Sequence, residues 1–200
     1  MAIRVGIIFT EYSNFQSIAN FLEYCGYEAV IIDEGNLDST VDVLFLPGVS
    51  SFDKVLTSIN YARAFILDFH MSNRKIIGVC AGFHILCLRS EESKSKMGGL
   101  GLFQAVVKKI PNGTSTVPNV GWRYPCFRDF DMPKMESKYY FTHSYYVDSL
   151  LKSDVVADLG YNGVLMDVIC RNGNVYGIQF HPEKSHFFGR VLIRFILEQQ

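Results

Sequence analysis

Two hundred residues are enough for one domain with a substantial buried core. The chain is 48% hydrophobic and 20% charged, and nineteen basic side chains against twenty acidic ones leave a formal charge of −1, so no global field draws it to nucleic acid or anionic lipid. No apolar run approaches the roughly 20 residues that span a bilayer, and Met1-Ala2-Ile3-Arg4-Val5 has no signal-peptide pattern. The expectation is a cytoplasmic protein of one domain, residues 1–200.

Ile3 to Phe9 is an apolar run broken only by Arg4, as expected for a strand covered on both faces. Ile18, Phe21, Leu22 and Cys25 follow at helical spacing, with Gly26 as a C′ stop. Ala29 to Ile32 and Val43 to Leu46 read as short strands. Val55, Ile59, Ala62, Ile66 and Phe69 mark one face of a longer helix. Lys75 to Val79 is a strand running into a helix-like segment from Ala81 to Arg89. Strand and helix in alternation predict a parallel sheet with right-handed crossovers.

The second half reads as strands: Leu100 to Ile110, Tyr139 to Val147, Val155 to Leu159, Val164 to Cys170 and Val175 to Phe180. Arg171-Asn172-Gly173-Asn174 signals a hairpin, because Asn-Gly tolerates the positive φ angles of a type I′ turn. Helical spacing returns at Val191, Ile193, Phe195 and Ile196, and Asn112 to Pro118 and Arg128 to Lys138 read as loops. The pattern predicts an α/β domain with a mixed sheet and antiparallel additions in the second half.

The cysteines are Cys25, Cys80, Cys87, Cys126 and Cys170, an odd number with no CxxC pair, which suggests reduced thiols and no thiolate zinc site. Gly78-Val79-Cys80-Ala81-Gly82 places one of them at a strand-to-helix junction between two glycines, a nucleophile-elbow arrangement with cysteine in place of serine. A thiol at a helix amino terminus is biased towards thiolate, and the Ala81 amide can serve a neighbouring oxyanion. Taken alone, this short pattern is more often a buried cysteine in a tight turn. Tyr176 to Phe180 then reads as a strand ending in His181-Pro182-Glu183. Proline biases His181 towards extended backbone, where residues two apart share a side. Glu183 can then hold one imidazole nitrogen while the other faces a thiol.

These segments, with Leu46-Pro47-Gly48-Val49-Ser50-Ser51-Phe52 after a strand, resemble class I glutamine amidotransferases and their Cys-His-Glu triad. Within that superfamily the closest resemblance is to the glutaminase subunits of imidazole glycerol phosphate synthase. It is carried by Ser90-Glu91-Glu92, Gly99-Leu100-Gly101-Leu102, Val117-Pro118-Asn119-Val120-Gly121-Trp122, Tyr140-Phe141-Thr142-His143-Ser144-Tyr145-Tyr146 and His181-Pro182-Glu183-Lys184-Ser185. The resemblance implies a flavodoxin-like, mostly parallel sheet with helices on both faces. It implies glutamine hydrolysis with Cys80 as nucleophile, His181 as acid and base, and Glu183 as orienter. It also implies oxyanion donors at Val49 and Ala81, and substrate contacts from Gly48, His84, Glu92, Ser144 and Tyr145. No metal or organic cofactor is implied. Ammonia would pass to a (βα)8 barrel cyclase subunit of histidine biosynthesis, met by Trp122 and Lys184.

The chain departs from the family pattern at several positions. His84 stands where a glutamine is usual, Ser50 replaces a glycine of the oxyanion loop, and Asn119 and Arg123 replace the usual His and Asn flanking Gly-Trp. Thr10-Glu11-Tyr12-Ser13-Asn14 replaces a glycine-rich segment. These departures leave two alternatives: a paralogue feeding a sugar-amidating synthetase, or an idle homologue that binds a partner.

Overall fold

The computed structural model describes residues 3–128 and 137–199. In the first half, β1 (Arg4–Ile8), α1 (Phe15–Tyr24), β2 (Glu28–Ile32), β3 (Val43–Leu46), α2 (Phe52–Ser58), α3 (Arg63–Met71), β4 (Lys75–Val79) and α4 (Ala81–Leu86) alternate as expected. The second half adds β5 (Cys87–Ser90), β6 (Phe103–Lys109), β7 (Asn119–Arg123), β8 (Cys126–Phe127), β9 (Tyr139–His143) and β10 (Tyr145–Ser149). It ends with β11 (Val155–Tyr161), β12 (Val164–Asn172), β13 (Val175–Ile178) and α5 (His186–Glu198).

The main sheet runs β2-β1-β3-β4-β13-β12-β10-β6-β5, with β11 and β8 attached through β12, while β7 and β9 form a separate ribbon. The neighbours from β2 to β13 are parallel, the pairs from β13–β12 to β10–β6 are antiparallel, and β6–β5 at the far edge is parallel again. Alternation within each strand sorts side chains to two faces. Val5, Ile7, Phe45 and Ile77 pack under α1 and α5, while Ile8, Leu44, Leu46 and Ile76 pack under α2, α3 and α4. Helices therefore cover both faces of the parallel part.

Four expectations change. The long helix through Val55 and Phe69 is broken into α2, a 3₁₀ turn at Asn60–Ala62, and α3. All five residues of its apolar face are nevertheless buried. The Ser58 hydroxyl donates to the Val55 carbonyl at 2.8 Å, a local bond that competes with helix propagation. The helix from Ala81 ends at Leu86, and the chain continues as β5 beside β6. Gly99 to Leu102 folds under that helix end: Leu100 N–H donates to the Ile85 carbonyl at 2.7 Å and Leu102 N–H to the Leu86 carbonyl at 2.8 Å. Helix carbonyls that need outside partners find them in this loop.

The run from Tyr139 to Val147 is two strands, because β9 pairs with β7 while β10 pairs with β6 and β12. The β12–β13 hairpin exists, with Asn172 opposite Val175, but its turn residues are Gly173 and Asn174. Only Gly173 has positive φ, +56°, which fits a type II′ turn in place of type I′. Asn162-Gly163 instead has φ of +49° and +77° between Tyr161 and Val164, and makes the type I′ hairpin. Most of the loop expected from Arg128 to Lys138 lies outside the described residues.

A Cβ at Gly99 would overlap the Cys87 carbonyl, whereas one at Gly160 would meet nothing within 4 Å. Gly99→Ala should therefore lower stability by about 1–3 kcal/mol in urea unfolding, and Gly160→Ala should leave the midpoint nearly unchanged.

Candidate active site

Three loops at the carboxyl ends of adjacent strands converge. β3, β4 and β13 are consecutive in the sheet and parallel, so the residues that follow them come together. Cys80 follows β4 and continues its ladder, donating its N–H to the Ile178 carbonyl at 2.8 Å. Its backbone then turns sharply, with φ +54° and ψ −114°, a conformation that non-glycine residues adopt only when their surroundings enforce it. The surroundings here are glycines. A Cβ at Gly82 would overlap the Leu46 carbonyl, and one at Gly78 would press on the Gly82 carbonyl at 2.7 Å.

His181 is extended, with φ −97° and ψ 99°, but Pro182–Lys184 forms a 3₁₀ turn. Glu183 thus reaches the imidazole through the turn and not by strand alternation: Nδ1 and Oε1 are 2.8 Å apart, and both side chains are buried. Nε2 is buried without a well-formed hydrogen bond, and the Cys80 sulfur is the group that acts on it. Burial works against the imidazolium, but the sulfur and the Glu183 carboxylate outweigh it and raise His181 to about 10.

The sulfur opens into a cavity of about 420 Å³, in the range of small-molecule sites. Val49, Ala81, His84, Glu92, Ser144 and Tyr145 all line it, and Lys184 stands at its wall. Gly48 packs against the elbow, where a Cβ would approach that of Ala81 to 2.9 Å. Glu92 accepts a hydrogen bond from Phe52 N–H at 2.8 Å, and burial raises its pKa.

The two expected oxyanion donors are both engaged. Ala81 N–H points at the Gly48 carbonyl at 3.3 Å, and Val49 N–H donates to the Tyr12 carbonyl at 2.9 Å. The Gly48–Val49 peptide therefore presents its oxygen, and not its N–H, to the elbow. Trp122 and Lys184 meet on one ring: Trp122 lies edge-on to Tyr140 with centroids 5.8 Å apart, and the Lys184 ammonium sits 6.0 Å from the same ring.

Sequence reasoning assigned no role to His143, Gln179 or Thr142. The Thr142 carbonyl lies 4.0 Å from the Cys80 sulfur. His143 lines the cavity; its Nδ1–H donates to the Tyr145 carbonyl at 2.8 Å, and Nε2 accepts from the Asn119 amide at 3.0 Å. His84 Nε2 pairs with Gln179 Oε1 at 2.9 Å. Burial lowers His84 to about 4 and His143 to about 3, so both are neutral beside a raised His181. The signal for His143 was its place in β9, whose alternate residues Tyr139, Phe141 and His143 are buried.

The family model for class-I glutamine amidotransferases matches residues 10–195. The chain belongs to that family. Among curated relatives, the imidazole glycerol phosphate synthase subunit HisH 2 of Methanococcus maripaludis is 34% identical over 207 residues, covering 98% of this chain and 99% of the relative. The subunit HisH of Leptospira interrogans is 35% identical, covering 95% and 97%. Among solved structures, PurLQS from Thermotoga maritima superposes with a TM-score of 0.78 at 19% identity, covering 98% of each chain, which bears on the fold alone. No helix among the described residues of this amidotransferase is long and apolar enough to cross a membrane.

The three histidines make opposite contributions to stability with pH. His84 and His143 are held below their ordinary value of 6.5, so their contribution is full above 6.5 and is lost as pH falls towards 4 and 3. His181 is held above 6.5, so its contribution is full below 6.5 and lost as pH rises towards 10. Between pH 6 and 5, urea unfolding should show stability falling with acid, each neutral histidine adding a slope of up to about 1.4 kcal/mol per pH unit. His84→Gln should remove one such slope.

Proposed function

We infer that this amidotransferase is a glutaminase subunit that hydrolyses L-glutamine and hands ammonia to a cyclase partner, as part of an imidazole glycerol phosphate synthase. The observation that carries the reading is one buried constellation: Cys80 on a strained elbow, His181 against its sulfur, and Glu183 on the far ring nitrogen at 2.8 Å. The two relatives described above carry the name of that synthase's subunit over nearly their whole lengths. They do not favour the sugar-amidating alternative.

The Cys80 thiolate adds to the side-chain amide carbon of glutamine, and the new oxyanion collapses as the C–N bond breaks. His181 gives its proton to the leaving nitrogen, so ammonia departs and a γ-glutamyl thioester remains on Cys80. Neutral His181 then takes a proton from water, whose oxygen attacks the thioester and releases glutamate. Glu183 holds the imidazole in one orientation throughout and stabilises its charged form. Glu92, His84, Ser144 and Tyr145 would grip the amino-acid end of the substrate.

The oxyanion needs donors, and turning over the Gly48–Val49 peptide would provide them. It would withdraw the Gly48 oxygen from Ala81 N–H and bring Val49 N–H inward, at the cost of its bond to Tyr12. Ser50 follows in place of a glycine and stiffens the hinge. Partner docking at Trp122, Tyr140 and Lys184 would couple hydrolysis to ammonia use. We read the chain as one domain acting in the cytoplasm as half of a heterodimer with a (βα)8 barrel cyclase subunit.

A glutamine-analogue electrophile should label Cys80 and no other cysteine, with the partner present, as read by peptide mass spectrometry; labelling elsewhere, or none, contradicts the reading. Glu183→Gln should lower kcat by about a hundredfold or more with a smaller change in KM. Ser50→Gly should raise glutamine hydrolysis by the isolated chain, measured as glutamate formed.

A further inference from the structure

The carboxyl ends of β1 and β2 open into a second cavity, of about 590 Å³, that holds none of the triad. Its place in the sheet is significant. β1 lies between β2 and β3, so the direction of winding reverses between β1 and β3, and α2, which follows β3, brings Asp53, Lys54, Thr57 and Ser58 into the wall of the cavity that borders this reversal. Open α/β sheets take ligands in the crevice beyond the strand ends at such a reversal. The walls come partly from residues that set this chain apart: Glu11 and Tyr12 stand where the family has a glycine-rich segment, and glycines would supply no walls.

The aromatic lining is Phe9, Tyr12 and Tyr61. Tyr61 is fixed, its hydroxyl close to the Phe9 and Ile32 carbonyls at 3.0 and 2.7 Å. Four carboxylates, Glu11, Asp33, Glu34 and Asp53, face a single ammonium, Lys54. Asp33 accepts from Gly35 N–H, and Asp53 from Lys94 and Ser95 N–H. Glu11 and Glu34 make no hydrogen bond or ion pair among the described residues. The negative field is felt inside the wall: burial, with Asp33 and Glu34 added, raises the Tyr61 hydroxyl to about 12. The Lys54 ammonium already rests 5.4 Å from the Tyr12 ring centre, the arrangement a cationic ligand would repeat.

This cavity also touches the active site. The Tyr12 carbonyl holds Val49 N–H at 2.9 Å, and α2, which carries Asp53 and Lys54, begins directly after Ser51 of the oxyanion loop. We propose that the cavity is a second ligand site for a small organic cation, an alkyl or planar body ending in an amine or guanidinium, and that its occupant acts on the Gly48–Val49 peptide through Tyr12. The second half of the proposal rests on the glutaminase reading; the first half does not.

Agmatine is a suitable probe and glutarate its anionic control, titrated calorimetrically into the full chain at 0.15 M salt. Wild type should bind agmatine at least about tenfold more tightly than a Glu11→Gln/Glu34→Gln double variant, and should not bind glutarate. Equal affinity in the two proteins, or no binding to wild type, overturns the site. Agmatine should also change the rate of Cys80 labelling by a glutamine-analogue electrophile at least about threefold in wild type and not in the double variant. Binding without that change overturns the coupling and leaves the site standing. Failure of Cys80 to label at all counts against the glutaminase reading, while the calorimetric result stands by itself.

Discussion

Cys80 and His181 lie far apart in the chain and meet because β4 and β13 are side by side and run the same way, with Val79 opposite Ile178. The ladder does not stop at the strand end, since Cys80 N–H still donates to Ile178. The turn that follows puts the sulfur above the sheet and starts α4 at the next residue. Gly48, Gly78 and Gly82 make room for that turn, because a side chain at any of them would press on the neighbouring loop or on the elbow itself. The loop after β3 is held against the same turn, where Ala81 N–H meets the Gly48 carbonyl. Register and close packing together therefore decide where Cys80 and His181 stand.

Burial alone would keep all three histidines near the cavity neutral. His84 and His143 obey, because burial dominates and their partners are uncharged: the Gln179 amide for His84, and the Asn119 amide and Tyr145 carbonyl for His143. His181 is the exception, since it alone has a carboxylate on one nitrogen and a sulfur on the other. The site thus separates one proton-carrying imidazole from two that shape the cavity without holding charge.

Much of this was legible in the sequence because it depends on local rules. The apolar runs of β1, β3 and β4 and the spacing in α1 and α5 specify elements whose boundaries lie within a few residues of the periodic signal. Cys80 between glycines and His181-Pro182-Glu183 are likewise contiguous signals. What escaped is set by tertiary partners. Cys87 to Arg89 continue a helical pattern, yet β6 offers a ladder and Gly99 to Leu102 caps the shortened helix. Ser144 divides one apolar run because its two halves pair in different sheets. The Tyr12–Val49 bond that turns the Val49 N–H away from the elbow joins two loops, and no spacing rule announces it.

On the function proposed above, Cys80 and His181 act as one buried acid–base pair, oriented by Glu183. The most direct measurement is an NMR titration of the His181 imidazole in wild type and in Cys80→Ala. The wild-type ring should stay protonated far above its ordinary value of 6.5, and removing the sulfur should lower its pKa by more than about one unit. A ring that titrates near 6.5 in wild type, or is unmoved by loss of the sulfur, would contradict it.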